Sequence, residues 1–159
     1  MRPTPTPAGF LTFVRNGMGI STEVLPDDSV WLTYAYDNAI CLVNQALCLV
    51  APSIYTLAVY NLGGSNLIQF AQDLNGAPDV EGSKPPMPYF QFTRKQFLMN
   101  SYVSGTIQST SDEGTSSSFV VPEAAETLTF ADLELAKTPW GRVYLGIAQK
   151  YGSTTWGLS

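Results

Sequence analysis

The run "SVWLTYAYDNAICLVNQALCLV", residues 29–50, decides how the chain folds. It holds one charge, Asp37, and neither Pro nor Gly. Its polar positions, Tyr34, Asp37, Asn38, Asn44 and Gln45, fall in a narrow stripe. Apart from Ser29 and Thr33 the rest is largely apolar, including Trp31, Leu32, Ile40, Leu42, Val43, Leu47 and Leu49. Asp27, Asp28 or Ser29 can cap a helix here, so the pattern predicts one helix from about Ser29 to Val50. Such a helix is buried on most sides, by its own core or by neighbouring subunits. Its length would reach across a bilayer, but a charge and several central amides argue against a span, and no membrane partner is expected.

Working outward, "MRPTPTP" (1–7) alternates Pro and reads as an extended arm. A short helix is expected over Phe10 to Met18, with Phe10, Phe13 and Val14 on one face, followed by a turn near Ser21. On the other side, Pro52 opens a helix running to about Leu62, where Gly63-Gly64 marks either a helix break or close helix packing. Residues 73–91, with Pro78, Pro85, Pro86 and Pro88, read as a long surface loop suited to contacts between subunits. A helix from Thr93 to Val103 follows, with Arg94 and Lys95 in its first turn, Phe97 and Leu98 inward and Gly105 beyond its end. Thr129 caps a short helix over Phe130 to Ala136. Thr138-Pro139 then starts the last helix, whose apolar face is Trp140, Val143, Tyr144 and Ile147 and which Gly152 ends.

Between these helices lies "TIQSTSDEGTSSSFVV" (106–121), in which eight of the fourteen residues from Thr106 to Phe119 are Ser or Thr. A three-residue turn at Asp112, Glu113 and Gly114 would place Ser111 opposite Thr115, Ser109 opposite Ser117 and Ile107 opposite Phe119. Only the last pair is apolar. A two-stranded hairpin is marginal even with a good apolar face, so this one is expected to be completed by other chains. Ser109, Ser111, Asp112, Glu113, Gly114, Ser116 and Ser117, with Trp140 as an anchor, are the candidate assembly contacts. The fold class is therefore mainly α, a helical bundle with a long Pro-rich loop and a small β-hairpin, in one domain over residues 1–159.

Composition narrows the function classes. Hydrophobic residues make up 45% and charged residues 13%, which describes an ordered chain with much of its surface covered. The formal net charge is −5, with no basic cluster of the kind that grips nucleic acid. There is no His, which removes the usual general base and every Ser-His or Cys-His pair. Cys41 and Cys48 would lie ~10 Å apart along one helix, buried on one face and too far apart for a disulfide. Asp27-Asp28 and Asp112-Glu113 are neighbours in sequence, not opposed across a cleft as glycoside hydrolysis requires. The serines at 116–118 have no nearby Lys and no nucleophile elbow. No catalytic residue, cofactor or metal is expected. Nothing at the N-terminus reads as a secretion signal, and free thiols suit a reducing cytosol.

The order "GTIQSTSDEGTSSSFVV" then "KTPWGRVYLGIAQKYG" resembles the C-terminal half of tailed-bacteriophage head–tail connector (adaptor) proteins, where a hairpin of small residues precedes a Thr-Pro-aromatic-Gly helix start. "IYTLAVYNL" is similar to the family's central helix. The resemblance spans roughly residues 28–72 and 93–152, and the Pro-rich 73–91 departs from it. It implies a mainly helical subunit, made in the host cytoplasm, that forms a dodecameric ring in the virion neck beneath the portal protein. Such a ring extends the DNA channel without specific DNA binding and docks a tail or neck protein. A tail terminator shares the composition but should carry more strand. A small hydrolase or a ligand-binding helical module are the readings from other classes.

Overall fold

Thr6 starts the helical body. Its side chain accepts the Gly9 N–H at 3.0 Å, and Pro7, whose missing N–H is no loss in a first turn, begins α1 (Pro7–Thr12). The helix thus opens three residues before Phe10, because Thr6 and Pro7 together make a helix start out of what reads as an extended arm. The computed structural model describes residues 4–99, 109–112, 115–118 and 130–155. α1 runs into a π-helical turn, Phe13–Gly17. Arg15 then pins the connection that follows: it donates to the carbonyls of Ile20 at 2.8 Å and of Leu25, and it pairs with Asp27. Ser29 accepts the Trp31 N–H and caps α2 (Val30–Leu42).

The single helix expected over 29–50 is two helices. Val43 leaves α2 with ψ near 127°, and α3 (Ala46–Val50) starts afresh. Asn44 is the physical reason: its Oδ1 accepts the Ala46 N–H at 2.9 Å, giving the backbone a local alternative to the helical ladder. The cysteines are therefore on separate helices, and they are not both buried: Cys41 is exposed and Cys48 is half-buried.

α4 (Pro52–Phe70) crosses Gly63-Gly64 without interruption, so the pair belongs to close packing and not to a break. A Cβ on Gly63 would lie 2.8 Å from the Phe10 ring, and one on Gly64 would lie 3.0 Å from the Met18 sulfur. Every residue from Asn61 to Ile68 is buried, as expected of a helix with neighbours on all sides. Its polar groups are satisfied there: Asn61 donates to Leu57 O at 2.8 Å, and Asn66 donates to Asn38 Oδ1 at 3.0 Å.

Ala71 to Pro88 carries no helix, only turns and an isolated bridge between Asp79 and Pro88. α5 (Tyr89–Gln96) begins four residues before Thr93 and ends well before Val103. Its start is set from across the loop, where the Asp73 carboxylate accepts the N–H groups of Phe90 at 2.7 Å and Gln91 at 3.0 Å. Arg94 consequently sits in the last turn, and it donates to the carbonyl of Ala71 at 2.7 Å and to those of Ile68 and Gln69 at the end of α4. The helix closes at Leu98, in left-handed conformation (φ 54°), with Met99 N–H bonded to Arg94 O. Leu98 is therefore 60% exposed, not inward, while Phe97 does turn toward the core. Gly105 lies outside the described residues.

Two short strands, β1 (Ser109–Asp112) and β2 (Thr115–Ser118), pair antiparallel with Ser109 opposite Ser118 and Asp112 opposite Thr115. Two residues separate the last paired positions where a three-residue turn was expected, so the register is offset by one. The rest of 106–121, with Ile107 and Phe119, lies outside the described residues, as do Met1 to Pro3 and Thr129.

α6 (Phe130–Ala136) leads into α7 (Pro139–Thr155). Thr138 caps α7 by accepting the Gly141 N–H at 2.9 Å, and its hydroxyl shares a buried 2.8 Å hydrogen bond with Ser65 of α4. Trp140, Tyr144, Ile147 and Tyr151 pack on the core at helical spacing. Val143, expected on that face, is 45% exposed. α7 passes through Gly152, since a helical glycine costs only about 1 kcal/mol and ends nothing by itself. The fold is mainly helical, with α4 packed between α2 and α7.

Candidate functional site

Asn44 splits the 29–50 run, but it does not change its composition, and apolar side chains remain after the core is filled. Leu32, Ala35, Tyr36 and Ala39 of α2 face inward. The opposite stripe, with Val30, Tyr34, Asp37 and Cys41, lines a shallow groove of about 480 Å³. Farther along, Leu42, Leu49 and Val50 are also open to solvent, Leu49 being 81% exposed. Residues 29–72 contain no charge but Asp37. A weakly charged surface with several large exposed aliphatics is what protein partners cover. The sequence signal for this face was a helix apolar nearly all round; which side faced solvent was not readable from it.

A second groove, of about 300 Å³, is lined by Lys84, Met87, Phe92, Lys95 and Gln96. It exists because Asp73 and Arg94 fix α5 against the end of α4, leaving Phe92 half-buried between two exposed lysines. Neither role of Asp73 nor that of Arg94 was visible in the sequence, since the partners are 17 and 23 residues away.

Of the candidate assembly contacts, Ser109, Ser111, Asp112, Ser116 and Ser117 stand on the β1–β2 ladder, and Glu113 and Gly114 lie outside the described residues. Trp140 stands apart from the strands, in the first turn of α7. Its ring meets Phe97 edge-on with centroids 6.2 Å apart, joining α7 to the residue that closes α5. Trp140→Ala is expected to lower stability by roughly 2 kcal/mol, less than a full core truncation because the ring is partly exposed. A thermal melt within a degree of the parent would show that this contact carries no stability.

Acid–base chemistry finds little to work with among the described residues. A cleft of about 260 Å³ between α1 and α2 includes Asp27, Tyr36 and Asp37. Asp27 is engaged by Arg15, and burial raises the Tyr36 phenol, which therefore stays protonated near neutrality. Burial likewise raises Tyr55, Tyr89 and Tyr144. Arg94 is lowered by burial, with Asp73 acting in the opposite direction. No group of three or more His, Cys, Asp or Glu side chains is placed to hold a metal among the described residues. No described helix is long and apolar enough to cross a membrane. No protein-family model, curated protein or solved structure matches the chain.

Proposed function

We propose that the chain is a structural virion subunit, a head–tail connector that forms a ring beneath the portal, lengthens the DNA channel and offers a surface to the tail or another neck protein. The observation that carries this reading is the pairing of a nearly uncharged helical face over α2 and α3 with a Ser/Thr-rich strand pair that has almost no apolar face of its own. Both features suit a subunit covered by neighbours on several sides. The helical content favours a connector over a tail terminator, for which more strand is expected. An acidic chain without a basic cluster lets a polyanion pass without holding it.

In this reading the segments 73–88, the part of 73–91 that precedes α5, and 106–121 are arms that reach other subunits. The strands offer main-chain hydrogen bonds and small side chains, so shape and backbone pairing set the fit. The test replaces Ser109–Ser117 with a short Gly-Ser turn. Helix content by circular dichroism should be unchanged, annular particles in negative stain should be lost or incomplete, and docking to portal or tail should fail. Intact rings that still dock would make 106–121 an ordinary surface feature. A parent chain that forms no annular particle, alone or with portal, would remove the connector reading.

A further inference from the structure

Charge is distributed unevenly along this chain. Between Arg15 and Lys84 there is no basic residue and there are seven acidic ones. Asp37 is the one charge in the α2 groove, where it sits exposed beside Val30, Tyr34 and Cys41. The α5 groove has the opposite character, with exposed Lys84 and Lys95 flanking Phe92. Asp37, Lys84 and Lys95 make no ion pair among the described residues. Each groove thus combines an apolar floor with charge that has no ion-pair partner among the described residues, one carboxylate in the first and two lysines in the second.

We infer that these grooves are the two halves of one head-to-tail contact, in which the α2 stripe of one copy receives the Lys84–Phe92–Lys95 face of the next. The occupant is a second copy because the chain carries both complements itself. Like-on-like contacts are disfavoured by the same charges, since α2 on α2 would oppose Asp37 to Asp37 and α5 on α5 would oppose lysines to lysines. A reciprocal α2–α5 pairing about a two-fold would satisfy the charges but close at a dimer, and the size of the assembly separates it from a head-to-tail contact. The apolar floors supply area, while the charges select partner and register. The inference deepens the connector reading and rests on it only for the closure of the chain of copies into a ring.

The test is a charge exchange followed by mass photometry and sedimentation. The parent chain should associate beyond a dimer. Asp37→Lys and Lys95→Glu should each weaken that association at least about tenfold, since each places like charges across the contact. Mixing the two single variants should restore it. The ammonium introduced at position 37 in the α2 groove of the Asp37→Lys copy is then matched by the carboxylate introduced at position 95 of the Lys95→Glu copy. Opposite charges face each other again at the altered positions, while the remaining contacts, Lys84 included, are native. The double variant should restore it as well. Circular dichroism and a melt on each variant exclude misfolding as the cause of a loss. A parent that stays monomeric or stops at a dimer at high concentration, single variants that assemble like the parent, or losses that neither mixing nor the double variant repairs would each overturn the inference. Rings indifferent to these reversals would leave the connector reading standing without this interface. Charge-dependent open oligomers that never close or dock would do the reverse.

Discussion

Gly141→Ala is expected to destabilise the protein by about 3 kcal/mol, at the upper end of overpacking substitutions. Gly141 is the third residue of α7 and is buried, with its N–H held by the Thr138 hydroxyl. A Cβ there would fall onto the backbone carbonyl of Leu135 in α6 and lie 2.8 Å from Thr138 Oγ1. A clash with the end of a side chain is relieved by a rotamer change, whereas a carbonyl in a helix moves only if the helix moves. Displacing Thr138 also disturbs its buried hydrogen bond with Ser65, and a buried hydroxyl left unpaired costs about 1–3 kcal/mol. Gly146 of the same helix is the control. It is exposed, nothing lies within 4 Å of its would-be Cβ, and Gly146→Ala should stabilise by about 0.5–1 kcal/mol through helix propensity alone. Thermal melts decide the matter. Gly141→Ala should lower the midpoint by about 6–12 °C, and Gly146→Ala should raise it slightly. Equal effects of the two substitutions would mean that the α6–α7 corner is not packed as described.

This corner was readable in the sequence because its signals are local. Thr138 and Pro139 are adjacent, and the cap they make involves residues three apart. Ser29 ahead of α2 was readable for the same reason. Features resting on distant partners were not. Whether Gly63-Gly64 breaks a helix or seats one depends on Phe10, more than fifty residues earlier. The start of α5 depends on Asp73, which has no neighbour in sequence to announce it. Asn44 shows a different limit, since the same residue can lie on the polar stripe of a helix or divert its backbone, and periodicity does not distinguish these outcomes. The strand register failed for a third reason. A slip of one residue normally moves apolar side chains from core to solvent, but the sequences of β1 and β2, STSD and TSSS, hold no apolar residue whose burial would fix the register. The exposed stripes were half readable: the low charge of residues 29–72 pointed to a surface short of charged groups, and only the packing of α2 and α5 showed which stripes are left open.

Phe10→Ala should be the most damaging truncation, at about 3–5 kcal/mol. The ring is 1% exposed and joins three elements, with Phe13 at 6.5 Å, Tyr36 of α2 at 5.9 Å and Tyr60 of α4 at 6.0 Å between centroids. The cost of such a substitution depends on how well the site can collapse, and this site collapses poorly. The surface beneath the ring is Gly63, which has no side chain to swing into the void, and α4 is held by neighbours along its whole buried length. The same geometry predicts a sign reversal. Gly63→Ala alone should destabilise, because its Cβ would press on the Phe10 ring at 2.8 Å. In the Phe10→Ala background that methyl group meets the cavity and, at an ordinary contact distance of 3.4 Å, the Ala35 carbonyl, so Gly63→Ala should recover part of the loss and gain helix propensity besides. A double-mutant cycle by urea unfolding measures the coupling, expected at about 1–3 kcal/mol in the direction of rescue. Strict additivity would separate Phe10 from Gly63, and α1 would then not be seated on α4 through this glycine.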